Sequence, residues 1–70
     1  MPQPYQERVV TERADLATKT SALETFLTTD VARSLPVEER LLLIDQLVAM
    51  QKYLSILDSR IEYFTSNEAV

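Results

Sequence analysis

The sequence predicts an all-α fold, an antiparallel hairpin of two long helices with a short helical turn between them, closing into a homo-oligomer. Three observations carry this expectation. Apolar residues recur at alternating steps of four and three in both halves of the chain, the spacing that lines up side chains on one face of a helix. A short polar cluster, Thr28-Thr29-Asp30, and then Pro36 separate the two halves, where a connection must fold one helix back on the other. Finally, 46% of the 70 residues are hydrophobic. A domain of this size buries only about 60% of its unfolded surface, so one hairpin leaves apolar side chains uncovered.

The first helix is expected over about residues 4–28. Pro4 suits the first helical position, where its missing N–H costs nothing, and no breaker follows it up to Thr28. Two columns spaced by sevens run along this segment, Tyr5, Glu12, Lys19 and Phe26 beside Val9, Leu16 and Leu23. Together they predict a single seam, unusual because two of its positions are an acid and a base. Unpaired burial of either charge would cost several kcal/mol, so the seam must meet another chain, water or a charged ligand.

The connection is expected to hold a short turn over about residues 30–34, with Asp30 as its cap. The second helix is expected from about 36 to 64, started by Pro36 and by Glu38 and Glu39, acids that favour the positive end of the helix dipole. Its stripe, Leu43, Leu47, Met50, Leu54, Leu57, Ile61 and Phe64, has no polar interruption. A second stripe, Val37, Leu41, Ile44 and Val48, lies beside it. Two adjacent stripes imply neighbours on both sides, the first helix and a second protomer. At 1.5 Å per residue the helices measure about 36 and 43 Å, which leaves Tyr63 and Phe64 uncovered in a single hairpin and predicts them as interface residues. Thr65–Val70 is expected to fray, and residues 1–70 form a single domain.

Composition excludes several functions. There is no Cys and no His, which removes disulfides, the commonest metal ligands and imidazole catalysis; no metal and no cofactor are expected. Oligomerisation is left as the means of stabilising so small a core. There is no Gly, so neither a P-loop nor a dinucleotide-binding loop can form. The net charge of −4 argues against DNA or RNA polymers as partners, since these bind basic surfaces. No apolar run approaches the roughly 18 residues of a membrane span, and Met1–Gln6 lacks a signal-peptide pattern. A soluble cytoplasmic protein is expected.

The carboxylate pairs Glu38–Glu39 and Asp58–Glu62 read as helix-end and surface charge, so the chain is not expected to be an enzyme. The charges of the first seam allow two readings. Locally, Asp15 can pair with Lys19 and Arg8 with Glu12, each worth about 0.2–0.5 kcal/mol at this spacing. Functionally, Tyr5 can stack on a base, Arg8 and Lys19 can hold phosphates, and Thr20 and Ser21 can bond polar edges. Residues 4–33 carry four cations against five acids, while residues 36–70 carry three against six, so an anion site recruits the first helix. At a two-fold interface every such residue appears twice, which suits a ligand with two bases and two phosphates.

The run Pro4-Tyr5-Gln6-Glu7-Arg8-Val9-Val10, followed by Glu12, Leu16, Lys19, Leu23 and Phe26, resembles the opening of the phage anti-CBASS cyclic-nucleotide sponges, which share a helical hairpin with the anti-Thoeris sponges. Leu35-Pro36 with Glu38-Glu39, then Leu41-Leu42, Gln46, Met50, Tyr53 and Leu57, and Arg60-Ile61 with Phe64, extend the resemblance over about residues 4–64. It implies a compact homohexamer that binds and sequesters cyclic oligonucleotides such as cyclic GMP-AMP without cleaving them. In the cytoplasm of an infected bacterium this blocks activation of CBASS effectors. Tyr5 and Lys19 match the family's tyrosine and lysine for cyclic dinucleotides; Arg8 joins them as a phosphate ligand from the residue pattern alone. Ser21 and Arg60 match a second pocket class that takes cyclic trinucleotides. The chain departs from the family in the arm before Tyr5, which is shorter here. The alternative reading is a plain helical oligomer that serves as a protein–protein interaction module, with the seam charges setting register.

Overall fold

The computed structural model describes residues 3–69, with side chains described over residues 3–66. It contains helices α1 (Pro4–Phe26), α2 (Asp30–Arg33) and α3 (Val37–Ala69), and no strand among the described residues. α1 folds back along α3, giving a rod 52 Å long and about 15 Å across.

Local chemistry sets where each helix begins and ends. At the start of α1, Pro4 occupies the first turn, and the Gln6 side chain reaches back so that its Oε1 accepts the Gln3 N–H at 2.7 Å. α1 ends two residues before the expected boundary. The Thr28 and Thr29 N–H groups bond three residues back, to Thr25 and Phe26 carbonyls, at 3.1 and 3.0 Å. The hydroxyls of the same two threonines donate to the same two carbonyls at 2.7 and 2.6 Å. Carbonyls orphaned at the end of the helix are thus satisfied from the connection itself.

The cap of α2 is Thr29, not the expected Asp30: the Thr29 Oγ1 accepts the Ala32 N–H at 3.2 Å. Asp30 instead enters the helix as its first residue, and its carboxylate takes the Arg33 guanidinium at 3.4 Å. Arg33 also donates from both terminal nitrogens to the Thr28 carbonyl, at 3.0 and 3.1 Å, so one side chain closes the turn. α3 runs past Phe64 to Ala69, because no glycine or proline interrupts it. The frayed end expected over Thr65–Val70 is therefore helical as far as Ala69. Val70, like Met1 and Pro2, lies outside the described residues.

The packing seam departs from expectation on one side. On α3 the buried and half-buried positions are Arg40, Leu43, Leu47, Met50, Leu54, Leu57, Ile61 and Phe64. This is the expected stripe with Arg40 added. On α1 the Val9, Leu16 and Leu23 column faces inward as expected, but its companion column is Gln6, Arg13, Thr20 and Leu27. Tyr5, Glu12 and Lys19 are exposed, and Phe26 is half-buried. The two alternatives lie on opposite sides of the Val9 column, one three and the other four residues away.

The observed side is cheaper to desolvate. The Gln6 amide caps its own helix, and the buried Thr20 hydroxyl donates to the Leu16 carbonyl at 2.7 Å. Arg13 reaches over the edge of the seam to bond Asp58 Oδ1 at 2.7 Å. No buried side-chain nitrogen or oxygen lacks a partner among the described residues, as expected of a settled core.

Leu57 is the most deeply buried large side chain, with Val9 and Ala32 completing the fully buried apolar set. Phe64 is half-buried in the seam, which corrects its assignment to an uncovered interface; Tyr63, beside it, is exposed. The second stripe of α3 is also uncovered, with Val37, Leu41, Ile44 and Val48 each 43–65% exposed. No helix among the described residues is long and apolar enough to cross a membrane.

Candidate functional site

Rotating α1 so that Glu12 and Lys19 leave the seam puts them on a flank, where they line a groove between the two helices. Pro4, Glu7, Arg8, Thr11, Glu12, Asp15, Leu16 and Lys19 supply the α1 wall, and Tyr53 of α3 forms the opposite one. Its volume of about 580 Å³ falls in the range of small-molecule sites. Residues 8, 12, 15 and 19 share this wall because they step by four, three and four along the helix.

The electrostatics of the groove are mixed. Two cations, Arg8 and Lys19, stand among three acids, Glu7, Glu12 and Asp15. The ion pairs among the described residues are Arg13–Asp58 and Arg33–Asp30. The local pairings Asp15–Lys19 and Arg8–Glu12 are therefore not formed, and both cationic heads remain available within the protomer. Glu12 has a different partner: its Oε2 accepts the Tyr53 hydroxyl from across the helix pair. Glu12 was expected in the seam, facing another chain, water or a charged ligand; it lies exposed on the flank instead, and its partner is a phenol of its own protomer.

Arg13, just outside the groove, is held above the usual arginine range, first by its hydrogen bond to Asp58 and then by that carboxylate's negative charge. Arg13 and Asp58 join residues 45 apart in sequence. Together with Glu12 and Tyr53 they set the register of the two helices. Nothing in the spacing of single residues signals these cross-helix pairs.

The remaining residues singled out from sequence lie elsewhere in the protomer. Tyr5 is 51% exposed and lines a second groove of about 550 Å³ at the open end of the hairpin, with Gln6, Ile56, Ser59, Arg60, Tyr63 and Phe64. Tyr5 and Arg60 thus share a groove, while Arg8 and Lys19 share the first. Ser21 lines a third, shallow depression with Ala17, Thr18, Ala22, Thr25 and Phe26. Within one protomer, Ser21 and Arg60 do not meet. Tyr53, to which sequence reasoning attached no role, is the aromatic side chain of the first groove; its place one residue before Leu54 of the core stripe was the available signal. No group of three or more metal-ligating His, Cys, Asp or Glu side chains occurs among the described residues.

A two-helix rod with an uncovered apolar stripe, and with free cations in an aromatic-walled groove, defines a small helical-hairpin protein. The chain belongs to the Sequestin family, whose model matches residues 3–63. These are the phage anti-CBASS and anti-Thoeris cyclic-nucleotide sponges, a non-catalytic family, in agreement with the resemblance seen over residues 4–64. No curated protein and no solved structure matches the chain.

Proposed function

We propose that this protein binds and sequesters cyclic oligonucleotide second messengers, releasing them unchanged, and so keeps CBASS effectors from activation in the cytoplasm of an infected bacterium. The observation that carries this reading is the pair Arg8 and Lys19. They share one groove and have no ion-pair partner among the described residues. Two free cations a few turns apart suit two phosphodiesters. Partial enclosure strengthens each contact, because the local dielectric falls.

Each protomer supplies part of a site. In this reading the cyclic dinucleotide pocket forms between protomers, combining Arg8 and Lys19 of one groove with Tyr5 from a neighbouring copy. A cyclic trinucleotide site requires the same logic, since Ser21 and Arg60 line separate grooves in the protomer. A closed homohexamer brings such copies together and covers the stripe of Val37, Leu41, Ile44 and Val48.

The test is calorimetric titration with a panel of cyclic di- and trinucleotides, cyclic GMP-AMP among them, followed by heating and chromatography of the released ligand. Tight binding with intact ligand recovered is the expected result. Lys19→Ala is expected to abolish dinucleotide binding while the oligomer persists. Absence of binding across the panel overturns the reading, and cleaved ligand makes the protein an enzyme. The exposed α3 stripe also favours a second reading, a helical oligomer acting only as a protein–protein module. That reading predicts instead that Lys19→Ala alters assembly or stability in a parent that binds no nucleotide.

A further inference from the structure

Of the three acids in the first groove, Glu7, Glu12 and Asp15, Glu12 is the one bonded to the opposite helix. Glu12 lines the same wall as Arg8 and Lys19, and a free carboxylate there would repel phosphate and compete for the cations. Instead, its Oε2 accepts the hydroxyl of Tyr53, a residue 41 positions away on the opposite helix. The acid is thereby turned across the groove toward the phenol.

Tyr53 is the aromatic side chain among the residues lining this groove, and the residue is 41% exposed, so much of its surface is uncovered. A tyrosine can rotate about two side-chain bonds. Anchoring its hydroxyl at the far end of the ring removes much of that freedom before a ligand arrives, which is how preorganisation raises affinity.

We propose that Tyr53 is the aromatic platform on which a base of the bound nucleotide stacks, and that Glu12 is the residue that positions it. This rests on the sequestration reading and adds a specific wall to its site. The ligand's phosphates go to Arg8 and Lys19, and its base lies against the ring that Glu12 holds. Stacking tolerates any base, because each has a π face, so Tyr53 supplies affinity and little base discrimination. Glu12 acts through the phenol and does not touch the ligand.

The experiment is a double-substitution cycle, with cyclic GMP-AMP affinity read by calorimetry on Glu12→Ala, Tyr53→Phe, the double variant and Glu12→Gln. Circular dichroism and oligomer mass confirm that each variant keeps the parent's fold and assembly. Glu12→Ala and Tyr53→Phe are each expected to weaken binding by about five- to tenfold, within the range of an ordinary hydrogen bond lost at a half-exposed position. The double variant should lose no more than either alone, since both remove the same bond. Glu12→Gln keeps an acceptor oxygen and removes the negative charge, so it should bind at least as tightly as the parent.

A carboxylate with a merely structural role would not give rescue by glutamine together with non-additivity. Additive losses, parent-like affinity in Glu12→Ala, or failure of Glu12→Gln to rescue overturns the positioning role while leaving sequestration intact. A parent that binds no cyclic nucleotide overturns the sequestration reading, and this inference with it.

Discussion

Single side chains of α1 divide their work by which way they lean from the Val9, Leu16 and Leu23 column. Those four residues later than one column position and three earlier than the next turn inward and are satisfied by local or cross-helix bonds. Gln6 closes the start of its helix, Thr20 bonds the preceding turn, and Arg13 reaches Asp58 at 2.7 Å. Those leaning the other way, Glu12 and Lys19, keep their charge at the surface. Arg13 and Asp58 are 40% and 52% exposed, so their pair is screened by salt and contributes little to stability.

Asp58 raises the Arg13 pKa. A group raised on folding contributes stability that is fully present below its unfolded pKa and is lost as pH rises through its folded one. For an arginine that window lies far into alkali, so the contribution is level from neutral pH to about pH 10. Melting curves of the parent and Arg13→Gln over that range should therefore run parallel, with a small gap that narrows in high salt. A gap that changes with pH in this window would contradict the assignment.

The helices themselves follow closely from chain chemistry, and their ends depend on a handful of hydroxyls. α3 is long because nothing between Val37 and Ala69 breaks it. α1 stops at Phe26 because Thr28 and Thr29 tighten the backbone and cap the last carbonyls. Thr29 serves both elements, since its oxygen donates to α1 and accepts from α2. Thr29→Ala is accordingly expected to destabilise the hairpin by about 1 kcal/mol, the usual cost of losing an N-cap. Denaturant unfolding of the parent and variant measures it, and an unchanged midpoint would show the cap to be idle. The competition between Thr29 and Asp30 was not decidable from residue type, since both are good caps; the backbone's early tightening after Phe26 awarded the role to Thr29.

For the molecule as a whole, the exposed stripe of α3 is the dominant uncompensated feature. Val37, Leu41, Ile44 and Val48 leave a continuous apolar edge on a hairpin whose fully buried apolar set is only Val9, Ala32 and Leu57. Such a core is thin for independent stability, and a second copy laid along the stripe would deepen it. In the proposed homo-oligomer, Ile44→Glu is expected to dissociate the copies and lower the melting temperature together, because a charge at an interface along this stripe would have no partner. Sedimentation and thermal denaturation on the same sample check this. An intact oligomer carrying the glutamate would place the interface elsewhere.

The all-helical character, the two long helices and the core face of α3 were legible in the linear pattern, because helical periodicity is a local property and the α3 stripe has one apolar solution. Family membership was legible too, since short motifs spread over nearly the whole chain carry it. The core face of α1 was not. Two columns flank Val9, Leu16 and Leu23, both contain charged or polar residues, and spacing alone weighs them equally. The choice came from side chains far apart in sequence, Asp58 receiving Arg13 and Tyr53 meeting Glu12. That choice put Lys19 and Arg8 on one wall of an open groove, separated Tyr5 from them, and gave the groove the ring of Tyr53. Local periodicity can say which residues share a face; which face meets the partner helix is a matter of desolvation cost, and that is settled only when both helices are present.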